Sequence, residues 1–123
     1  MFFVSFVVQF FEAPNVSRFA ETLDRLAAVI ETRKGADPSS SYTAKLLSES
    51  VDRRAKKFGE EAVETVIAAI SGDRDALAAE SADLIYHWLA LLAGAGVSLD
   101  AVAERLEARE GTSGLAEKAS RST

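Results

Sequence analysis

The chain has 123 residues, of which 48% are hydrophobic and 27% charged, proportions that fit one soluble domain with a packed core. Its net charge of −5 argues against a nucleic-acid partner, because proteins that bind nucleic acid usually carry a basic excess. The sequence contains no cysteine, which excludes disulfides, thiolate zinc sites and cysteine nucleophiles and favours a cytoplasmic setting.

The first eleven residues, MFFVSFVVQFF, hold five of the seven phenylalanines. This segment is too short to span a bilayer, which takes roughly 20 apolar residues, so we expect no membrane partner. It also lacks the basic start and the small-residue cleavage site of a secretory signal. We interpret residues 1–16 as an extension outside the fold, with a membrane-associating or dimer-contacting tail as the alternative.

Five helices are predicted in the following part of the chain, and the fold class is therefore all-α. The predicted helices span residues 18–33, 42–49, 51–70, 74–93 and 99–109. Ser17, Asp73 and Ser98 are the predicted N-caps, because their side-chain oxygens can accept from backbone N–H groups of a first turn. Ser71-Gly72 and Gly94-Ala95-Gly96 are predicted to end the two long helices. The helical domain then covers residues 17–110, and residues 111–123 form a polar tail.

Apolar residues recur every three or four positions in these helices, which predicts one buried stripe on each. The stripes comprise Phe19, Leu23, Leu26, Ala27 and Ile30; Leu46 and Leu47; Val51, Ala55, Phe58, Ala62, Val66 and Ala69; Leu77, Leu84, Trp88 and Leu91; and Val102 and Leu106. One helical hairpin with short flanking helices buries such stripes poorly. We therefore expect a second copy of the chain to complete a helical bundle.

Acidic side chains concentrate in the segment KKFGEEAVE, which lies in the predicted helix 51–70. Glu60, Glu61 and Glu64 fall within two helical turns, and at about 100° per residue they are predicted to leave one side of the helix. Like charges at this spacing repel each other unless a cation lies among them. A solvated acidic face is the alternative for any one of these residues.

A second acid pair, Glu80 and Asp83, lies in the next helix, with His87 one turn further along. The short Ser71-Gly72 connection makes the two helices antiparallel neighbours. Glu64 precedes Gly72 by eight residues and Glu80 follows it by eight, so both are predicted to lie about 12 Å from the turn.

The two acid pairs can therefore face each other and supply oxygen ligands to a hard divalent cation such as Mg²⁺. A di-iron carboxylate centre is disfavoured, because it requires two Glu-x-x-His motifs and the chain has one histidine. That histidine, His87, is either a hydrogen-bonded core group or a ligand or base.

Several polar residues are candidates for substrate contact, each with a structural alternative. Lys57 is the best candidate for binding phosphate, and a solvated basic run is its alternative. Tyr42, Thr43 and Lys45 can contact a ribose or phosphate, or can serve in capping and packing. Lys118 and Arg121 of the tail can likewise bind phosphate.

Three segments, SYTAKLL, KKFGEEAVETVIAA and SGDRDALAAESADLIYHWLALLAGAGVSLDAV, resemble the phosphoribosyl-ATP pyrophosphohydrolase family of histidine biosynthesis. The resemblance covers roughly residues 19–121. More broadly, Glu60-Glu61-x-x-Glu64 followed by Glu80-x-x-Asp83 is similar to the all-α, MazG-type nucleotide pyrophosphohydrolases.

This resemblance implies a Mg²⁺-dependent cleavage of phosphoribosyl-ATP to phosphoribosyl-AMP and pyrophosphate, in a homodimer with active sites near the subunit interface. Glu61, Glu64, Glu80 and Asp83 would be the metal ligands, and Glu60 or one of the ligands would orient or deprotonate water. Tyr42, Thr43, Lys45, Lys57, His87, Lys118 and Arg121 would contact substrate. Two alternatives stay open: a housecleaning pyrophosphohydrolase of non-standard nucleoside triphosphates, and a non-catalytic helical dimer.

Overall fold

Five α-helices make up most of the part of the chain that the computed structural model describes, residues 14–110 with Lys118 and Arg121. They are α1 (Pro14–Thr32), α2 (Tyr42–Ser48), α3 (Val51–Ser71), α4 (Arg74–Ala95) and α5 (Leu99–Glu107). No strand occurs among these residues, which confirms the predicted all-α class. Residues 1–13, most of the extension interpreted as residues 1–16, lie outside the described residues.

The antiparallel hairpin of α3 and α4 forms the largest helix–helix contact in the described part of the chain. Gly72 takes a left-handed conformation with φ of 76°, and its N–H donates to the Ala69 carbonyl at 3.3 Å. The Asp73 carboxylate then accepts from the Ala76 N–H at 3.0 Å and caps α4. The predicted turn and cap are both confirmed, and together they fix how α3 and α4 face each other.

Three predicted helix boundaries are wrong, and one of them is the end of α5, which lies at Glu107 rather than at residue 109. Helix α1 begins at Pro14, so Ser17 lies inside it rather than at its cap. Proline suits a first helical turn, since its missing N–H would have no partner there. Helix α4 continues through Gly94 to Ala95, and Gly96 forms its C-cap instead. The helix therefore ends within the predicted segment Gly94-Ala95-Gly96, at its last glycine, which takes the left-handed conformation with φ of 71°.

Helix α4 is the centre of the packing, because α1, α2 and α3 all contact it. The buried apolar side chains of the described residues come from these four helices. They are Ile30, Ala44, Leu46, Ala68, Leu89 and Ala90. A core of this size holds α2 and α1 against α4 but leaves much of α3 uncovered.

The predicted buried stripe of α3 is largely exposed in the single chain. Four of its six residues are exposed: Val51, Ala55, Val66 and Ala69. Phe19 on α1 and Leu106 on α5, which are also predicted to face inward, are exposed as well. Nearby on α3, the exposed fractions reach 61% at Ile67 and 82% at Ile70. The reason is that the described residues place only α4, and a few residues of α2, against α3. An uncovered apolar face of this kind is typical of an interaction surface.

No single helix among residues 14–110 is long and apolar enough to cross a membrane. Helices α4 and α5 meet that criterion only when they are counted together, and the chain bends by 106° between them. The expectation that the protein has no membrane partner stays a prediction.

Candidate functional site

The hairpin gathers three carboxylates, from Glu61 and Glu64 on α3 and from Glu80 on α4. One oxygen of each lies within 4.8 Å of the other two. Glu64 and Glu80, which are predicted to lie at equal distances from Gly72, therefore lie close together in the structure. It arises because α-helical rise is uniform and the turn between the helices is short.

Thr65 fixes the register of the two helices at the level of these acids. Its hydroxyl lies 2.8 Å from the Glu61 carbonyl oxygen and 3.2 Å from the Glu80 carbonyl oxygen. The single hydroxyl hydrogen is shared between these two acceptors, one on its own helix and one on the neighbour. The contact joins the backbone of Glu61 to that of Glu80 and favours the register in which their side chains lie close together.

The acid group is electrostatically unfavourable as it stands. Oε2 of Glu61 and Oε2 of Glu80 are shielded from solvent and have no hydrogen-bond partner among the described residues. Burial raises the pKa of Glu61, and the hydrogen bond and charge of Glu64 raise it further; the nearby charge of His87 opposes this. The pKa of Glu80 is raised by burial and then by Glu64. The all-oxygen donor set with two unpartnered oxygens fits a hard divalent cation, whose charge would offset this repulsion.

Asp83 and Glu60 lie outside the group of three. Asp83 is exposed, but its charge raises the pKa of both Glu61 and Glu80, so it belongs to the same electrostatic site. Glu60 is also exposed, and its carboxylate forms an ion pair with the Lys57 ammonium at 3.5 Å. Helix geometry puts Glu60 on the same side of α3 as Glu64, about 40° away, but Glu60 is not part of the group of three carboxylates and pairs with Lys57 instead.

His87 is a hydrogen-bonded core residue, only 9% exposed. Its Nδ1 lies 2.9 Å from the Asp83 carbonyl oxygen, and because a carbonyl only accepts, Nδ1 carries a proton. Its Nε2 faces the Tyr42 hydroxyl of α2 at 3.5 Å. Its burial and its hydrogen bond agree with the interpretation of His87 as a core residue. Its contact with Tyr42 also connects α2 to α4, which carries Glu80 and Asp83.

Tyr86 is a site residue that the sequence analysis missed. Its hydroxyl is hydrogen-bonded to the Thr43 hydroxyl of α2. Its ring is stacked at 6.5 Å from the Tyr42 ring and lies edge-on to His87 at 5.1 Å. The signal was available, since Tyr86 follows Asp83 by three residues and so lies on the same side of α4.

The candidate cationic residues are spread over the surface. Lys57 lines a cavity of about 60 Å³ on α3 with Arg53, Lys56 and Glu60. Lys45 on α2, Lys118 and Arg121 are exposed, and the remainder of the tail, residues 111–117, 119–120 and 122–123, lies outside the described residues. Their contact with phosphate stays a prediction.

A larger cavity, of about 270 Å³, lies between α1, α4 and α5 and includes Ala27, Leu89 and Leu99 in its wall. None of the predicted site residues lines it. The chemistry of the carboxylates, rather than cavity size, therefore marks the hairpin as the candidate active site.

The chain is similar in sequence to known proteins of one family. A family model described as phosphoribosyl-ATP pyrophosphohydrolase matches residues 23–110. A phosphoribosyl-ATP pyrophosphatase of Caulobacter vibrioides strain NA1000 is 73% identical over 104 residues, which cover 85% of this chain and 96% of the relative. Proteins of the same name from Caulobacter sp. strain K31 and Cereibacter sphaeroides strain KD131 are 69% and 60% identical, over 86% and 80% of this chain and 98% and 96% of their own lengths.

The raised pKa of Glu61 makes a prediction about stability in the absence of divalent cations. A Glu61→Gln variant should have a higher free energy of unfolding than the wild type near neutral pH, because it removes a charge that burial and Glu64 disfavour. The folded wild type holds the Glu61 proton more tightly than the unfolded chain does. Its stability should therefore fall as the pH rises from the ordinary value of 4.5 through the raised pKa, and the variant should show less of that fall.

Urea denaturation of chelator-treated protein at a series of pH values measures both effects. Glu104→Gln is the matched control, because Glu104 is exposed on α5 and should change neither stability nor its pH dependence. Equal stability of the Glu61→Gln variant and the wild type at pH 7, with the same pH dependence, would contradict the electrostatic account of the site.

Proposed function

Because the chain belongs to the phosphoribosyl-ATP pyrophosphohydrolase family, we infer that it is the histidine-biosynthetic hydrolase phosphoribosyl-ATP pyrophosphatase, and we propose that it works with Mg²⁺ as a homodimer. The reaction converts phosphoribosyl-ATP and water to phosphoribosyl-AMP and pyrophosphate. The observation that carries the proposal is the group of Glu61, Glu64 and Glu80, with its buried, unpartnered oxygens. All three belong to the pattern Glu60-Glu61-x-x-Glu64 and Glu80-x-x-Asp83 that carries the resemblance to the family.

Glu61, Glu64 and Glu80 are the residues that would hold the ion, with Asp83 as the neighbouring fourth carboxylate. A bound Mg²⁺ would neutralise phosphate oxygens and lower the pKa of the attacking water. Cleavage between the α- and β-phosphates otherwise needs little covalent chemistry from the protein, so positioning and charge neutralisation are its main tasks.

Other side chains would perform the positioning. Glu60 is the candidate for orienting water, and its carboxylate lies 3.5 Å from the Lys57 ammonium at the surface of α3. A phosphate group that draws Lys57 away would free Glu60 for this role. Lys45, Lys118 and Arg121 would neutralise further phosphate charge.

The hydroxyl and aromatic cluster on α2 and α4 supplies the candidate contacts to the nucleoside part of the substrate. Tyr42 is 54% exposed, so its ring offers a face on which a base or ribose can pack. Thr43, Tyr86 and His87 lie beside it and supply polar groups. The cluster lies one helical turn along α4 from Asp83, whose carbonyl oxygen is 2.9 Å from His87 Nδ1.

The homodimer is supported by the exposed apolar face of α3. Val63, Val66, Ile67 and Ile70 recur at spacings of three and four, so they form one continuous surface. A second hairpin packed on this face would bury it and complete a four-helix arrangement. We also propose a cytoplasmic location, in keeping with the cysteine-free sequence.

The substrate assignment predicts release of pyrophosphate from phosphoribosyl-ATP in the presence of Mg²⁺, and little release from ATP or from deoxynucleoside triphosphates. Replacing Glu64 with Gln or Asp83 with Asn should lower kcat by about 100-fold or more, because even residues outside the ligand shell of a metal commonly contribute up to that factor. Circular dichroism should show unchanged helicity in both variants.

Glu104→Gln again serves as the control, with activity equal to that of the wild type. A preference for deoxynucleoside triphosphates would keep the metal site but assign the chain to housecleaning hydrolysis. Near-wild-type turnover in Glu64→Gln would contradict the assignment of the carboxylates, and absence of release from every substrate would favour the non-catalytic dimer.

The proposed interface makes a separate prediction. Ile67→Lys should convert a dimer into monomers, because a symmetric interface would bring two buried ammonium groups close together. Ser40→Lys adds the same charge at an exposed position of the α1–α2 loop and should leave the dimer intact. Sedimentation equilibrium measures the outcome, and a monomeric wild type or an unchanged dimer in Ile67→Lys would contradict the proposed interface.

A further inference from the structure

Arg54, in the first turn of α3, is buried although arginine is seldom found inside a protein. Its exposed fraction is 8%. A guanidinium group is always charged at neutral pH, so its burial requires acceptors that match its charge. Its partners therefore indicate what the side chain is for.

The hydrogen-bond partners of Arg54 are carbonyl groups at the C-terminal end of α2, including that of its C-cap residue Glu49, whereas Arg54 Nε has no partner among the described residues. Its Nη1 donates to the carbonyl oxygen of Glu49 at 2.5 Å and also lies 3.3 Å from that of Leu47 and 3.4 Å from that of Leu46. Helix α2 ends at Ser48, and the last carbonyls of a helix have no partner within it. They also form the negative end of the helix dipole, so a buried cation is well placed there.

Gly94 of α4 provides the space for this arrangement. A Cβ atom at Gly94 would lie 2.4 Å from Arg54 Nε, 2.7 Å from Cζ and 2.9 Å from Nη2. The guanidinium plane thus lies directly against the backbone of α4. Glycine is otherwise unfavourable inside a helix, and the contact accounts for its presence at this position.

Helix α2 has seven residues, which is too short for a helix to be stable without tertiary contacts. At its N-terminal end, Tyr42 and Thr43 contact His87 and Tyr86. At its C-terminal end, its carbonyls are held by Arg54. The orientation of Tyr42 and Thr43 therefore depends on both ends of the helix.

We propose that Arg54 and Gly94 form a clamp that orients α2, so that Arg54 is a positioning residue for substrate binding by Tyr42 and Thr43. The expected effect of Arg54 on substrate binding rests on the proposed function. The acid group lies on α3 and α4 rather than on α2. Loss of the clamp should therefore raise KM for phosphoribosyl-ATP much more than it lowers kcat.

The clamp can be tested without substrate, because the chain has only two tyrosines, Tyr42 and Tyr86, and both lie where α2 meets α4. Protein labelled with 3-fluorotyrosine gives one ¹⁹F signal for each, and Tyr42→Phe assigns them. Arg54→Met should shift or broaden the Tyr42 signal. The control is Arg74→Met, which removes an exposed arginine at the start of α4 and should leave both signals unchanged.

Kinetics then test the effect on binding. Arg54→Met should raise KM by about fivefold to tenfold with kcat within about twofold of the wild type, the pattern of a lost binding contribution. Arg54→Lys keeps the charge at the helix end and should recover part of the loss. Gly94→Ala should reproduce the Arg54→Met effects, and should add nothing to them in the double variant, because the flexible methionine can yield to the new methyl group.

An unchanged Tyr42 signal in Arg54→Met would overturn the clamp, whatever the activity. A shifted signal with an unchanged KM would overturn its role in binding. If Arg54→Met fails to fold, Arg54→Lys and Gly94→Ala carry the same comparison, and wild-type signals and KM in both would overturn the proposal. A wild type that does not hydrolyse phosphoribosyl-ATP would remove the proposed function and the effect on KM with it, while the ¹⁹F comparison still decides the clamp.

Discussion

Repulsion among Glu61, Glu64 and Glu80 is the constraint on which the structure of the site depends. Burial and mutual proximity raise the pKa of Glu61 and Glu80, so the folded chain holds these groups together against their electrostatic preference. The packing of α3 on α4 and the shared hydrogen bond of Thr65 oppose that repulsion. A site that is unfavourable without a cation is suited to bind one, since the cation relieves the strain that folding has produced.

The hairpin and α2 have different tasks in this account. The hairpin fixes the carboxylates through helix geometry and the turn at Gly72, both of which are local and rigid. Helix α2 is short and is held from outside, by the Arg54 guanidinium at one end and by aromatic and hydroxyl contacts at the other. The proposed metal binding and the proposed recognition of the nucleoside therefore depend on different elements of the fold.

Sequence reasoning succeeded where structure follows from local spacing. The facing of Glu64 and Glu80 came from counting residues on either side of Gly72, and the Asp73 cap came from residue type. It failed where a distant element decides the outcome: the contact between Gly94 and Arg54 joins residues that are far apart in sequence, and Val66 is exposed because no described helix covers that face of α3. The start of α1 at Pro14 was missed because Ser17 offered an equally plausible cap by residue type alone.

The central claim is that the three carboxylates form a cation site, and the most direct test is calorimetric titration of Mg²⁺ into chelator-treated protein. The account predicts saturable binding by the wild type at millimolar or lower concentrations, together with a rise in melting temperature, because the ion binds only the folded chain. Glu64→Gln should lose both effects. Absence of binding heat and of any change in melting temperature in the wild type, or equal binding by Glu64→Gln, would contradict the claim.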